Sequence, residues 1–305
     1  MFFTSTGYYR RWAITNKLSE NYNALVCDLD GTLLHVKPES IAVPGRTRAS
    51  FLSADAALLL AKISQIFPVV IATGRNAKSV HKLVSQLPDV RFSGFVLENG
   101  FVVKHEIDDK NIVRGKIQSQ TNNIHMNSKI INNPEWKKQD DWDKIADLFP
   151  DWERLPFYEN CAGFVFPFDQ DDIDRMVINT KVEHAQKILD KHGYNYPVYK
   201  EKRKIFIYPG HVDKMKGLAL LGVHPYIAIG DGTNDLEMMQ QSTVSVTLNS
   251  GSSELKEIVK QKNGFCSMQT EHNAACEMLE FAYWKLVLAP QNKRRKIDIL
   301  QNFLS

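Results

Sequence analysis

Four short segments carry residue types that suit phosphoryl transfer: Asp28-Leu29-Asp30-Gly31-Thr32, Thr73-Gly74-Arg75, a lysine at 214 or 216 ahead of Gly217, and Gly230-Asp231-Gly232-Thr233-Asn234-Asp235. Phosphate monoesters resist hydrolysis more than almost any biological bond, so a catalyst has to supply a nucleophile, charge neutralisation and a proton for the leaving oxygen. A carboxylate such as Asp28 can attack phosphorus and form an aspartyl-phosphate, which splits one hard displacement into two easier ones. Asp30, two residues on, can protonate the departing alkoxide and then take a proton from the hydrolytic water. That role needs Asp30 partly protonated. Because an unperturbed Asp titrates near about 3.9, like-charge repulsion or desolvation is expected to raise it.

Asp231 and Asp235 form a second acidic pair. Carboxylate-rich loops with few His or Cys suit a hard cation, so Asp28, Asp30, Asp231 and Asp235 are the candidate ligands for magnesium. An EF-hand loop starting at Asp231 would need a Glu at the position of Ser242, so the calcium alternative is set aside. Gly31 and Thr32 can turn backbone N–H groups toward phosphate oxygens. Thr73 can donate a hydroxyl, with Gly74 permitting close backbone approach. The lysine is ambiguous: a helix opening at Lys216-Gly217-Leu218 favours Lys216 as the catalytic cation, whereas counting from Val212-Asp213 favours Lys214 as the phosphate contact.

Apolar runs position these residues. Ala24-Leu25-Val26-Cys27, Val69-Val70-Ile71-Ala72, Phe95-Val96-Leu97 and Tyr226-Ile227-Ala228-Ile229 each read as a strand buried on both faces, and each ends at a polar motif. Val80, Leu83, Val84 and Leu87 recur at the spacing of one helix face. Strands alternating with helices predict a doubly wound, parallel α/β sheet, whose ligands bind beyond the carboxyl ends of the strands. Arg75 and Asn99 fall at such ends and are candidate substrate contacts. Taken singly, Thr-Gly-Arg is an ordinary strand-to-helix turn and a lone lysine an ordinary surface charge. The shared order behind four strands is what carries the reading.

Between residues 103 and 203 the texture changes, with Asn, Lys and Asp abundant over 122–143 and aromatics from Trp136 to Phe168. This predicts an inserted α+β domain at 103–203, with the core at 1–102 and 204–305. Inside it, Gly163 to Phe168 suits a strand, and the acids from Asp169 to Asp172 open a helix running to about residue 192. Aromatics such as Tyr158, Phe164 and Phe166 could stack on a sugar, but at strand spacing they read first as core. Residues 37–55 read as a surface loop.

Length and composition fit this reading. The 305 residues, 43% hydrophobic, allow a large core and two domains. A net charge of +3, from 38 basic and 35 acidic residues, gives no electrostatic footprint for nucleic acid. Cys27, Cys161, Cys266 and Cys276 share no ligand or disulfide spacing, which fits a reducing cytoplasmic home. No apolar stretch approaches the roughly 20 residues a membrane span needs. Arg10, Arg11 and Lys17 make an organelle leader conceivable, although an arm packed beside the first strand is the plainer reading. Lys293-Arg294-Arg295-Lys296 and the apolar residues after it read as a solvated helix on the core rather than a membrane anchor. The oligomeric state is not legible.

With these residues assembled, the set resembles the haloacid dehalogenase superfamily, in its phosphatase branch. The resemblance covers residues 22–102 and 204–290. It implies that Asp28 is the nucleophile, Asp30 the acid/base, Thr73 the second-motif hydroxyl and the lysine before Gly217 the third motif. It also implies that Asp231, Asn234 and Asp235 form the fourth, with magnesium held by Asp28, by the backbone carbonyl of Asp30 and by this acidic loop. The placement of the insert resembles the large α/β cap of the sugar-phosphatase subgroup, which includes sucrose-phosphate and mannosyl-3-phosphoglycerate phosphatases. The expectation is therefore a magnesium-dependent phosphatase acting on a small phosphorylated metabolite, most simply a sugar phosphate. A phosphomutase and a non-catalytic scaffold are the rivals.

Overall fold

The structure is a computed structural model that describes residues 23–44, 49–105, 107, 139–166, 171–201, 203–224 and 226–288. The expectations for the N-terminal arm, most of the 122–143 stretch and the basic C-terminal segment lie outside these residues.

β1 (Ala24–Cys27) is fully buried because alternate side chains enter two different cores. Leu25 and Cys27 join one cluster, with Val69, Ile71, Ile227 and Ile229. Ala24 and Val26 join the other, with Val70, Ala72, Tyr226 and Ala228. A strand apolar at every position is what a parallel sheet covered by helices on both faces requires. The sheet has seven strands in the order Phe265–Ser267, Val244–Leu248, Tyr226–Ile229, β1, Val69–Ala72, Phe92–Leu97, Val102–Lys104. All neighbours are parallel except the last pair, Phe92–Leu97 with Val102–Lys104. One face is covered by helices Ala54–Ser64, Ala77–Val84 and Glu271–Tyr283, through residues such as Leu60, Val80 and Met278. The other is covered by Lys214–Leu220, Leu236–Gln241 and Ser253–Gln261, through Leu218, Met238 and Leu255. Each such fully buried aliphatic side chain contributes about 1.5–3 kcal/mol.

A second, antiparallel sheet is built from Glu153–Leu155, Ala162–Val165, Lys204–Ile207 and Val198–Glu201, in that order. Trp142, Phe149, Trp152, Phe164 and Phe166 fill the core between it and the helices Gln139–Ala146 and Asp171–Lys191. Phe164 and Phe166 are thus core, as the strand spacing implied. The expected boundaries at 102/103 and 203/204 both fall inside or against paired strands. Val102–Lys104 belongs to the main sheet and Lys204–Ile207 to the second, because each is hydrogen-bonded there. Residues 37–55, expected as a loop, contain the antiparallel pair Ile41–Val43 and Ser50–Leu52. The two sheets meet through Phe101, Cys161, Phe206, Tyr208 and Val212, with Phe101 stacked on Tyr208.

Candidate active site

Asp28 follows directly on β1, and its N–H donates to Ile229 O at 2.9 Å, which ties it to the neighbouring strand. Asp231 lies two residues past that neighbour, and Thr73 one residue past Val69–Ala72 on the other side. Adjacent parallel strands therefore deliver the three motifs to one edge of the sheet. Carboxylate oxygens of Asp28, Asp231 and Asp235 lie within 4.8 Å of one another. Asp235 is held by its own loop, since its Oδ2 accepts from the N–H groups of Asp231 at 3.1 Å and Gly232 at 3.0 Å. Asp231 is held by Thr32, whose hydroxyl donates to Oδ1 at 2.7 Å and lies 3.4 Å from Asp28 Oδ2. Gly31 has φ +93°, and a side chain there would overlap the Asp231 carboxylate. Only glycine combines that backbone with that contact.

Lys214, not Lys216, reaches this cluster. Its ammonium, fully buried, donates to Asp28 Oδ1 and to Asp235 Oδ1, each at 2.6 Å. Lys214 is the first residue of its helix because Asp213 caps it, accepting from the N–H groups of Met215 and Lys216. Lys216, one turn face away, is 70% exposed and 4.0 Å from Asp213. The assignment of the catalytic cation to Lys216 is thereby corrected by placement: an Asp N-cap starts the helix two residues earlier than the Lys-Gly reading allowed. Burial alone would push the Lys214 ammonium down, but Asp235 and Asp28 beside it carry it up, so it stays charged. Burial pushes the Asp28 carboxyl well up, against the pull of Lys214. Asp235 and Asp231 add to that upward push, a crowding of acidic groups that a bound cation would relieve. The all-oxygen donor set also suits magnesium.

Asp30 turns away from this cluster. Its carboxylate takes a two-pronged contact from Arg75, Nε to Oδ2 and Nη2 to Oδ1, each at 2.6 Å. Arg75 is itself steadied by Ser50 Oγ at 3.1 Å, from the hairpin. The sequence led us to expect surroundings that favour neutral Asp30; a guanidinium fork instead favours its carboxylate. No Asp30 side-chain oxygen joins the three-carboxylate group.

Thr73 is buried, and its Oγ1 accepts from Arg75 N at 3.3 Å. Gly74 lies against the Asn99 amide, with Glu201 Oε2 at 3.3 Å from where a side chain would start. Asn99 is a junction: Asn234 Nδ2 donates to its Oδ1 at 3.0 Å, and its Nδ2 donates to Tyr208 Oη at 3.1 Å. The turn that carries it has positive φ at Glu98 (49°), Asn99 (54°) and Gly100 (105°). Such backbone is costly off glycine, about 1–3 kcal/mol per residue, and persists where neighbours hold it. Here Glu98 N donates to Arg75 O, Asn99 N to Thr73 O, and Asp213 N to Asn99 O.

Glu98, Glu201, Tyr208 and the capping Asp213 were not foreseen as site residues. The Glu98-Asn99-Gly100 triplet was a signal for the first, since acidic and amide residues before Gly mark a turn. Nothing local marks Glu201 or Tyr208, which arrive from the second sheet.

A family model described as haloacid dehalogenase-like hydrolase matches residues 25–273. The chain belongs to the haloacid dehalogenase-like hydrolases. No curated protein matches it. Among solved structures, it is similar to a sucrose-phosphatase from Synechocystis sp. in complex with sucrose and phosphate, with TM-score 0.52 and 16% identity over 88% of this chain and 100% of that one. A trehalose-6-phosphate phosphatase related protein gives TM-score 0.55 and 15% identity, over 90% and 100%. A Thermotoga maritima protein gives 0.56 and 17%, over 85% and 97%. At these identities the likeness is one of fold. Asp28, Lys214, Asp231 and Asp235, which meet at one edge of the sheet, all fall within the matched residues.

Proposed function

We propose that the protein is a magnesium-dependent phosphatase that cleaves a small phosphorylated metabolite through an aspartyl-phosphate on Asp28. The observation that carries this is the buried Lys214 ammonium bridging Asp28 and Asp235, with Asp231 in the same oxygen cluster. One carboxylate is positioned as nucleophile while the others and the lysine manage charge.

Asp28 attacks phosphorus, forming its O–P bond as the bond to the leaving oxygen breaks, and Asp30 gives that oxygen a proton. Water then attacks the aspartyl-phosphate, Asp30 takes its proton, and the Asp28 carboxylate is restored with release of phosphate. Thr73, Gly74 and the Gly31-Thr32 turn face the phosphoryl oxygens, and Lys214 offsets their charge. The side chains of Asp28, Asp231 and Asp235 would hold magnesium, joined on the family pattern by the Asp30 backbone carbonyl. Bound there, the ion would neutralise charge on the phosphoryl group and orient it. A second unit above the site can exclude water and select the leaving group, and so acts as a cap. The sucrose-phosphatase among the structural neighbours supports a sugar phosphate as substrate.

The test is release of p-nitrophenol from its phosphate ester by the purified chain. Turnover should require magnesium, stop with EDTA, and fall to background in Asp28→Asn. Absence of phosphate release from any ester with magnesium present would leave the scaffold reading in its place.

A further inference from the structure

We propose that Glu98 is a positioning residue: it docks residues 156–160 of the cap onto the catalytic turn and so holds Tyr158 where the leaving group departs. This rests on the phosphatase reading above and names what the substrate presents to the cap, a neutral, hydroxyl-rich leaving group.

Glu98 is fully buried between the two units. Its Oε1 accepts from Glu159 N at 2.8 Å and its Oε2 from Asn160 N at 2.9 Å. On its other side its own N–H donates to Arg75 O, the carbonyl of the residue that grips Asp30. One residue thus spans from the Asp30 partner to the cap. Three further contacts fix the same segment: Asn76 Nδ2 donates to Pro156 O at 3.1 Å, Lys104 Nζ to Glu159 Oε1 at 2.6 Å, and the Lys78 ammonium sits 3.6 Å from the Phe157 ring centre. Phe157 has φ 70° and Glu98 φ 49°, so both ends of the clamp are in backbone that relaxes unless held.

Tyr158 follows from that clamp. Its ring leans on Phe206 at 5.3 Å, and burial, followed by Cys161, Glu201, Glu98 and Asp30, pushes its hydroxyl well up, so it stays protonated. Clamped by Glu98 through its two following residues and packed in the cluster with Phe101 and Tyr208, whose hydroxyl takes the Asn99 amide, Tyr158 is the cap side chain carried next to the Glu98-Asn99 turn. Glu201, against Gly74, supplies a carboxylate from the same cap. A hydroxyl and a carboxylate together hydrogen-bond the hydroxyls of a polyol. Glu201 Oε1 lies 3.7 Å from the partly exposed Lys204 ammonium, while Oε2 stays turned toward Gly74, where it disfavours leaving groups that carry a carboxylate or a second phosphate.

The experiment measures kcat/KM of the full chain for p-nitrophenyl phosphate, hexose 6-phosphates and fructose 1,6-bisphosphate. The wild type should prefer hexose monophosphates over the bisphosphate. Glu98→Gln keeps an acceptor for one backbone N–H and turns an NH2 on the other. It should lower the ratio of hexose-phosphate to aryl-phosphate kcat/KM about tenfold, through KM more than kcat. Tyr158→Phe leaves the clamp intact and should lower the same ratio, which keeps the idea open to refutation if Glu98→Gln folds poorly. An unchanged ratio in both variants, equal losses on both substrate types, or a wild type that cleaves only the aryl ester overturns the inference. A wild type inactive on every ester overturns the phosphatase reading instead.

Discussion

Arg75 holds Asp30 by both of its carboxylate oxygens, across 45 residues of sequence, and is braced in turn by Ser50 of the hairpin. The fork favours ionised Asp30, the form that takes a proton from water in the second chemical step, and works against the form that gives one in the first. The two halves of the proposed reaction therefore ask opposite things of this pair.

Replacing Arg75 should separate them. In Arg75→Ala, attack on an aryl phosphate, whose leaving group needs no proton, should survive while hydrolysis of the aspartyl-phosphate slows by about 10²-fold. A pre-steady-state burst of p-nitrophenol followed by slow turnover would display this. Arg75→Lys, a point charge without the fork, should restore little. Loss of the burst in step with turnover would contradict the division of labour.

The two lysines make a paired test. Lys214 is buried between two carboxylates, so Lys214→Met leaves them unpaired; breaking a buried pair in this way costs about 3–5 kcal/mol. The variant should lose both turnover and urea resistance. Lys216→Ala removes an exposed charge 4.0 Å from Asp213 and should shift stability by no more than about 0.5 kcal/mol, with turnover kept. Loss of turnover in Lys216→Ala alone would return the role to that residue.

Glu98 also links stability to pH. Burial pushes its carboxyl up to about 8 from the ordinary 4.5, against the pull of the Glu159 and Asn160 amides and of Lys104, and with a push from the Glu159 carboxylate. The folded chain therefore binds a proton there more tightly than the unfolded one. Its contribution to stability is complete below about pH 4.5 and is lost as pH rises through about 8. Urea unfolding measured from pH 5 to pH 9 should show a falling limb over that window, and Glu98→Gln should flatten it. A limb unchanged in the variant would assign it to other groups.

The strands Ala24–Cys27, Val69–Ala72 and Tyr226–Ile229 were legible residue for residue, because a strand covered on both faces must be apolar throughout. Val244–Leu248 was not, since Ser245 and Thr247 interrupt its apolar run. Both are buried and satisfied by backbone carbonyls, Met239 O and Gly230 O, that only the folded chain brings near. The second sheet was blurred for a related reason: its strands are three or four residues long, and its central pairing joins Ala162–Val165 to Lys204–Ile207 across the whole helix Asp171–Lys191.

The chemistry available is legible in the residue types alone, because carboxylates and a hydroxyl placed just past apolar parallel strands come out together at the sheet's carboxyl edge. Which lysine enters, that Asp30 meets Arg75, and that Glu98 faces the cap are fixed only in three dimensions. Those choices are set by helix capping and by contacts between segments remote in the chain, whose energies depend on distance in space and leave no local pattern of residue types.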